Sequence, residues 1–454
     1  MNNTITTFNP YNGVELNKYE RFSNEKTKSV LDIAQKTFLD WKFNSIKSRT
    51  NLLKNVGDVL NKNKEKYSQL ITLEMGKPIK ESRAEIEKCI LLCYFYKENA
   101  SKFLSDQMIE TEAHESFISY DPLGVILAVM PWNYPFWQVF RFAVPTLTAG
   151  NTALLKHATN VSGCALAIQD CFEQAGYPIG CFQTLLVDHD VIENLIQDKT
   201  IKGVSLTGSE KAGISIANTA SKVLKKTVLE LGGNNACIIL DDADLDKYID
   251  TIVSARFQNS GQSCIAAKRF IVTEGIYDMF LKQFKAKVKK LKYGDPIKET
   301  THISVLARED LAKDLQKQID ASIKKGATVV LGNKRDKSYF SPTILTDVTE
   351  DMEVFTQETF GPLAPIIKAK DFKHALELAL NSRFGLGTMV FTKDIEEAKR
   401  KIGYIDDGAY FINEMVKSDQ KLPFGGTKAS GYGRELSKEG IHEFVNIKTV
   451  YINK

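Results

Sequence analysis

No two of the seven cysteines in this 454-residue chain form a C-x-x-C pair, and their number is odd. A disulfide scaffold and a zinc ribbon are therefore not expected, no metal site is anticipated, and a reducing cytoplasm suits the chain best. The six histidines stand singly. Long apolar runs are missing too. A representative one, Val125 to Met130, falls far below the roughly 18 residues of a membrane span, so no membrane association is expected. Met1 to Pro10 is polar, without the apolar stretch of a secretory signal. Nor does one sign of charge dominate: 60 basic residues against 56 acidic leave +4, which argues against a nucleic-acid partner. The Lys-rich stretch from Lys282 to Lys292 carries Phe280, Phe284, Val288 and Leu291 at helical intervals and reads as a solvated amphipathic face. The G-x-G-x-x-G dinucleotide fingerprint is absent from the whole chain.

What is present is a large core and an alternating pattern. Apolar residues make up 43% and charged residues 26%, ordinary for a globular chain, and the length suggests at least two domains. Val30, Ile33, Ala34, Phe38 and Trp41 recur at helical spacing, as do apolar positions from Leu52 to Leu73. From 124 to 240, short apolar runs at 124–130, 151–155, 182–186, 201–206, 226–231 and 236–240 are mostly separated by helix-length segments. Such alternation predicts an α/β fold built on a parallel sheet. Runs at 269–273, 327–331, 364–367, 386–391 and 408–412 predict a second unit.

Unusual residues gather just past these strands: Pro131-Trp132-Asn133, Lys156, Thr207-Gly208-Ser209 and Glu230-Leu231-Gly232-Gly233. Open parallel sheets bind ligands outside the carboxyl ends of their strands, so these segments are expected to line one crevice. Gly208 to Gly213 opens a helix directly after a strand, a start suited to phosphate but equally an ordinary cap. Cys264 stands in the small polar segment Asn259-Ser260-Gly261-Gln262-Ser263, whereas cysteines such as Cys89 and Cys93 sit among leucines as core residues. On residues alone, Cys264 stays open between nucleophile and loop residue.

Five motifs in order carry a family resemblance: Met130-Pro131-Trp132-Asn133-Tyr134-Pro135, Leu229-Glu230-Leu231-Gly232-Gly233, Gly261-Gln262-Ser263-Cys264, Glu358-Thr359-Phe360-Gly361-Pro362 and Pro423-Phe424-Gly425-Gly426. With them the chain resembles the aldehyde dehydrogenase superfamily from Phe8-Asn9-Pro10 to its end. Its short length, Glu74-Met75-Gly76-Lys77-Pro78 and Ser430-Gly431-Tyr432-Gly433-Arg434-Glu435 look most like the short bacterial succinate-semialdehyde dehydrogenases. The resemblance implies two Rossmann-type parallel-sheet domains and a bridging oligomerisation sheet. Residues 1–112 and 126–231 would bind cofactor, 232–419 would be catalytic, and 113–125 with 420–454 would bridge subunits into a homodimer or homotetramer. The alternating run Phe444 to Tyr451 reads as an edge strand, which is usually covered.

The resemblance also implies roles. Cys264 is the nucleophile, Asn133 with the Cys264 amide holds the oxyanion, and Glu230 activates water. Trp132, Lys156, Gly208, Ser209, Gly213, Leu231, Glu358 and Phe360 would bind NADP or NAD. Thr159 stands where NAD-selective relatives often carry Glu, so NADP should be accepted. The substrate would be a small aldehyde or semialdehyde, with Arg141 and Ser418 gripping a distal carboxylate. A second arginine used by some relatives is Gln258 here, which loosens chain-length discrimination. Arg141 has a plainer explanation in an internal ion pair. Position 266 is Ala, so Cys264 has no cysteine two residues on for a redox switch. A coenzyme A-acylating enzyme and a non-catalytic structural protein are the alternatives. Glu230 argues against the first and the intact residue set against the second.

Overall fold

Strands that are apolar on both faces need cover on both sides, and the chain supplies it. In the computed structural model, which describes residues 4–454, strands Val125–Met130, Thr152–His157, Phe182–Thr184, Ile201–Thr207 and Lys226–Glu230 run parallel in one sheet. The first three residues of the expected 1–112 span lie outside the described residues. Every residue of Val125–Met130 is buried, with Thr152–His157 on one side and Ile201–Thr207 on the other. Strand order reverses direction at that point, which makes the crevice beyond Met130 and Thr207 the natural ligand position.

A second sheet holds Thr328–Leu331, Thr343–Thr346, Leu363–Ala369, Arg269–Thr273, Ala236–Ile239, Thr388–Phe391 and Tyr410–Ile412 in that spatial order. It is parallel except for Thr328–Leu331, which runs antiparallel to its neighbour. The run at 236–240, grouped by alternation with the five before it, lies here instead. The chain leaves the first sheet at Gly232-Gly233, where the backbone passes so near Cys264 that a Cβ on Gly233 would stand 2.7 Å from its carbonyl oxygen. Thr343–Thr346 was not among the expected runs, because its four residues begin and end in threonine.

Val445–Ile452, Glu115–Pro122 and Gln107–Met108 form a third, antiparallel sheet with Val445–Ile452 at its edge. The span 420–454 is not wholly part of it, contrary to expectation. Gly431–Tyr432 joins the first sheet beside Lys226–Glu230, and Thr427–Lys428 pairs with Phe384–Gly385. Gly431 makes the first of these detours possible, since it has φ 105° and a Cβ there would collide with the Leu229 carbonyl.

One helix carries much of the site. Trp137–Thr148 is buried along all twelve residues. Its start is fixed by Glu85, whose Oε1 accepts the Phe136 and Trp137 N–H groups at 2.7 and 3.0 Å, an anion at the positive end of a helix. The other carboxylate oxygen takes the Lys77 ammonium at 2.6 Å, with both side chains buried. Lys77 also stands 3.8 Å from the centre of the Tyr134 ring. Removing one member of a buried pair leaves an uncompensated charge, at a cost of about 3–5 kcal/mol. Lys77→Met is therefore expected to lower the unfolding free energy measured in urea by that order. An unfolding free energy within about 1 kcal/mol of wild type would show that the helix amides alone satisfy Glu85.

Candidate active site

Three consecutive residues before Cys264 are left-handed: Asn259 at φ 55°, Ser260 at 52° and Gly261 at 75°. Such conformations in non-glycine residues cost about 1–3 kcal/mol each and persist only when surroundings over-determine them. Here they are over-determined. The Glu81 carboxylate accepts the Asn259 N–H at 2.8 Å, and Asn259 Nδ2 donates to the carbonyls of Asn133 (2.8 Å) and Gln262 (3.1 Å). Gln262 Oε1 accepts the Ala307 N–H at 2.9 Å and Ser260 Oγ accepts that of Ser304 at 3.2 Å. A Cβ on Gly261 would collide with the Gly361 carbonyl. The same hydrogen bonds thus fix both the turn that carries Cys264 and the backbone of Asn133.

Asn133 is buried, and its Nδ2 spends one hydrogen on the Gln262 carbonyl at 3.1 Å, leaving the other. The Cys264 N–H makes no hydrogen bond among the described residues. Two donors therefore remain beside a thiol, as an oxyanion site needs. Burial pushes the Cys264 thiol up to about 11, Arg141 and Lys268 pull it down, and Glu358 and Glu230 push it further up.

Cys264 and Gln138 are the residues common to the walls of two cavities. One, of about 400 Å³, is lined by Trp132, Asn133, Gly208, Ser209, Leu231, Glu358 and Phe360. Trp132 and Phe360 meet edge to face at 5.7 Å. Glu358 Oε1 accepts Lys268 Nζ at 2.6 Å and the Gly233 N–H at 3.1 Å. Ser209 caps helix Glu210–Ser221, its Oγ accepting the Ala212 N–H. Gly213 does not serve as an amide donor there: its N–H already bonds to the Ser209 carbonyl at 3.0 Å. A Cβ on it would stand 2.6 Å from a Leu231 methyl, so Gly213 acts by letting helix and strand approach. Lys156 and Thr159 lie outside this cavity's wall. Lys156 is buried, 3.4 Å from His189 Nε2, and pairs with no carboxylate among the described residues. Burial lowers it to about 8. Thr159 begins the short turn Thr159–Val161, half-buried. An uncompensated buried cation, a capped helix start and a glycine backbone at Gly232 fit a phosphate-bearing nucleotide.

The second cavity, of about 160 Å³, is lined by Lys88, Tyr134, Trp137, Arg141, Gln258, Ser418 and Phe424 among others. Arg141 is ion-paired with Glu435, both buried, and its guanidinium lies 4.4 Å from the centre of the Phe424 ring. The internal ion pair thus exists, and Arg141 faces the cavity as well. Glu230, the last residue of its strand, lines neither cavity. It is buried, and a Cβ on Gly425 would meet its Oε1 at 2.8 Å. Burial and the neighbouring Glu435 push its carboxyl well above the usual range, while Arg141 and Arg434 pull it down.

Residues 1–450 match the aldehyde dehydrogenase family. The chain belongs to that family. It is 46% identical over 451 residues, 99% of each chain, to a protein of Synechocystis sp. named a probable NADP(+) succinate-semialdehyde dehydrogenase. It is 43% identical over 448 residues to an Escherichia coli NAD(P)+ succinate semialdehyde dehydrogenase, covering 98% of this chain and 97% of that one. The crystal structure of a Streptococcus pyogenes succinic semialdehyde dehydrogenase in complex with NADP+ superposes with a TM-score of 0.97 at 36% identity, over 99% of this chain and all of that one.

Sequence reading missed Glu81, Lys88 and Glu435. Glu81, Glu85 and Lys88 recur at intervals of four and three along helix Ile79–Phe103, a charged stripe that signals a polar cavity beside it. Glu435 had no such signal, because its partner is nearly 300 residues away. Since the Cys264 thiol is pushed up to about 11, its thiolate fraction rises about tenfold per pH unit below that value. Alkylation of the nucleotide-free protein by iodoacetamide is expected to accelerate accordingly between pH 7.5 and 9.5, at one site, the other six cysteines being buried. A plateau by pH 8 would mean a thiol already activated in the free enzyme.

Proposed function

We propose that this aldehyde dehydrogenase oxidises succinate semialdehyde to the dicarboxylic acid with NADP or NAD. The observation that carries it is the position of Cys264 on the wall shared by a nucleotide-sized crevice and a small cavity containing cationic side chains. Cys264 attacks the aldehyde carbon to give a thiohemiacetal. The Asn133 amide and the Cys264 N–H meet the oxyanion, each donor being worth about 3 kcal/mol. Collapse of the thiohemiacetal expels the hydride of the former aldehyde carbon and leaves a thioester on Cys264; a nicotinamide held in the crevice would accept that hydride. Trp132, Gly208, Ser209, Leu231, Glu358 and Phe360 would hold the nucleotide, with Lys156 and Thr159 toward the ribose and its phosphate. Glu230 turns from Gly425 toward Cys264 and, ionised, takes a proton from the water that cleaves the thioester.

Residues 1–112 and 126–231 hold the cofactor, 232–419 the nucleophile, and the edge strand Val445–Ile452 pairs subunits into a dimer or tetramer in a reducing cytoplasm, where Cys264 remains a thiol.

Cys264→Ala is expected to abolish oxidation with nucleotide binding retained, and Glu230→Gln to give a burst of reduced cofactor before a slow steady state. Absence of turnover with succinate semialdehyde across both cofactors would overturn the assignment. Cofactor choice is tested at Thr159. An uncharged side chain there does not repel a 2′-phosphate, so wild type is expected to use NADP at least as well as NAD, and Thr159→Glu to shift preference toward NAD. Wild type inert with NADP would refute this.

A further inference from the structure

Two cations face the substrate cavity, and only one is already neutralised. Arg141 is paired with Glu435 inside the protein. Lys88 has no carboxylate within ion-pair distance among the described residues. Its Nζ instead donates to Ser418 Oγ at 2.7 Å and stands 4.2 Å from the centre of the Trp137 ring. The acidic side chains on the same wall are engaged elsewhere, Glu81 with the Asn259 N–H and Glu85 with Lys77. Trp137 Nε1 also donates to Ser418 Oγ, at 3.1 Å.

This arrangement settles how Ser418 is used. A hydroxyl has two acceptor lone pairs and one donor hydrogen. Lys88 and Trp137 fill the lone pairs, so the remaining capacity of Ser418 is to donate, and the adjacent ammonium makes an anion the matching acceptor. Burial and the nearby Arg141 lower Lys88 to about 8, against the weaker opposing pull of Cys89, Asp419 and Glu85. An anion bound here would relieve that destabilised charge.

We propose that Lys88 is a specificity-determining cation of the cavity, holding the distal carboxylate of the substrate together with the Ser418 hydroxyl, beside an Arg141 whose Nε is already taken by Glu435. This rests on the semialdehyde assignment above. The test compares kcat/KM for succinate semialdehyde and for butanal, which has the same chain length and no carboxylate, in wild type, K88M, K88Q and K88R. Succinate is titrated in parallel against the cofactor-free proteins by thermal shift. K88M and K88Q are expected to lose about 30-fold or more on the semialdehyde and stay within about threefold on butanal. K88R should recover most of the loss, and stabilisation by succinate should vanish in K88M and K88Q. K88Q keeps a hydrogen bond to Ser418, so it remains informative if K88M folds poorly. Equal losses on both substrates, or no loss on either, would overturn the lysine assignment while leaving the semialdehyde reading intact. Wild type without preference for the semialdehyde over butanal would overturn both.

Discussion

The left-handed turn at Asn259, Ser260 and Gly261 is the constraint on which the rest of the site depends. Without it the backbone would run past the junction of the two cavities rather than place a thiol there. Two non-glycine residues in that conformation carry strain, which is held by hydrogen bonds from three separate parts of the chain, at Glu81, Asn133 and Ser304 to Ala307. Because Asn259 bonds to the backbone of Asn133, the amide and the thiol proposed as oxyanion donor and nucleophile are positioned by one network rather than two. Preorganisation of this kind matters because a donor stabilises a transition state only if it needs no rearrangement when charge develops.

Charge in the interior is arranged in unequal pairs. Glu230, Arg141 and Glu435 form a buried cluster of two carboxyls and one guanidinium, bordered by Arg434. Two buried carboxyls do not share one cation equally, and the one left out is driven toward its neutral form. Glu230, which makes no hydrogen bond through Oε1, is that carboxyl. The upward push on its carboxyl and the ionisation that the proposed thioester hydrolysis would require separate a stored state from a working one. The Cys264 thiol, likewise held protonated by burial, shows the same division.

Much of the fold was legible because buried parallel strands are apolar along their whole length. Val125–Met130, Ile201–Thr207 and Arg269–Thr273 stand out as runs without needing a partner. Thr343–Thr346 does not, being short and threonine-bounded, and the transfer of Ala236–Ile239 to the second sheet is a tertiary fact that alternation does not encode. In the site, Cys264, Asn133 and the crevice glycines were legible through motifs that keep their spacing. The Arg141–Glu435 pair and the Lys88–Ser418–Trp137 node were not, since each joins residues about 280 or more apart whose local surroundings look ordinary. Gly213 was read as part of a helix start suited to phosphate; its N–H is spent on the Ser209 carbonyl, and its missing side chain makes room for Leu231.

The stretch from Phe424 to Ile452 reaches several separate parts of the fold. Phe424 walls the second cavity, Thr427–Lys428 forms a two-stranded pair with Phe384–Gly385, Gly431–Tyr432 adds an edge strand to the first sheet, Glu435 supplies the counter-ion of Arg141, and Val445–Ile452 completes the third sheet. These contacts put the counter-ion of Arg141, one wall of the cavity and the strand beside Glu230 on a single stretch of backbone. A protease cut between Ile412 and Phe424 would therefore leave the cysteine turn in place while loosening the chamber around it, and nicking there would uncouple possession of the thiol from its use.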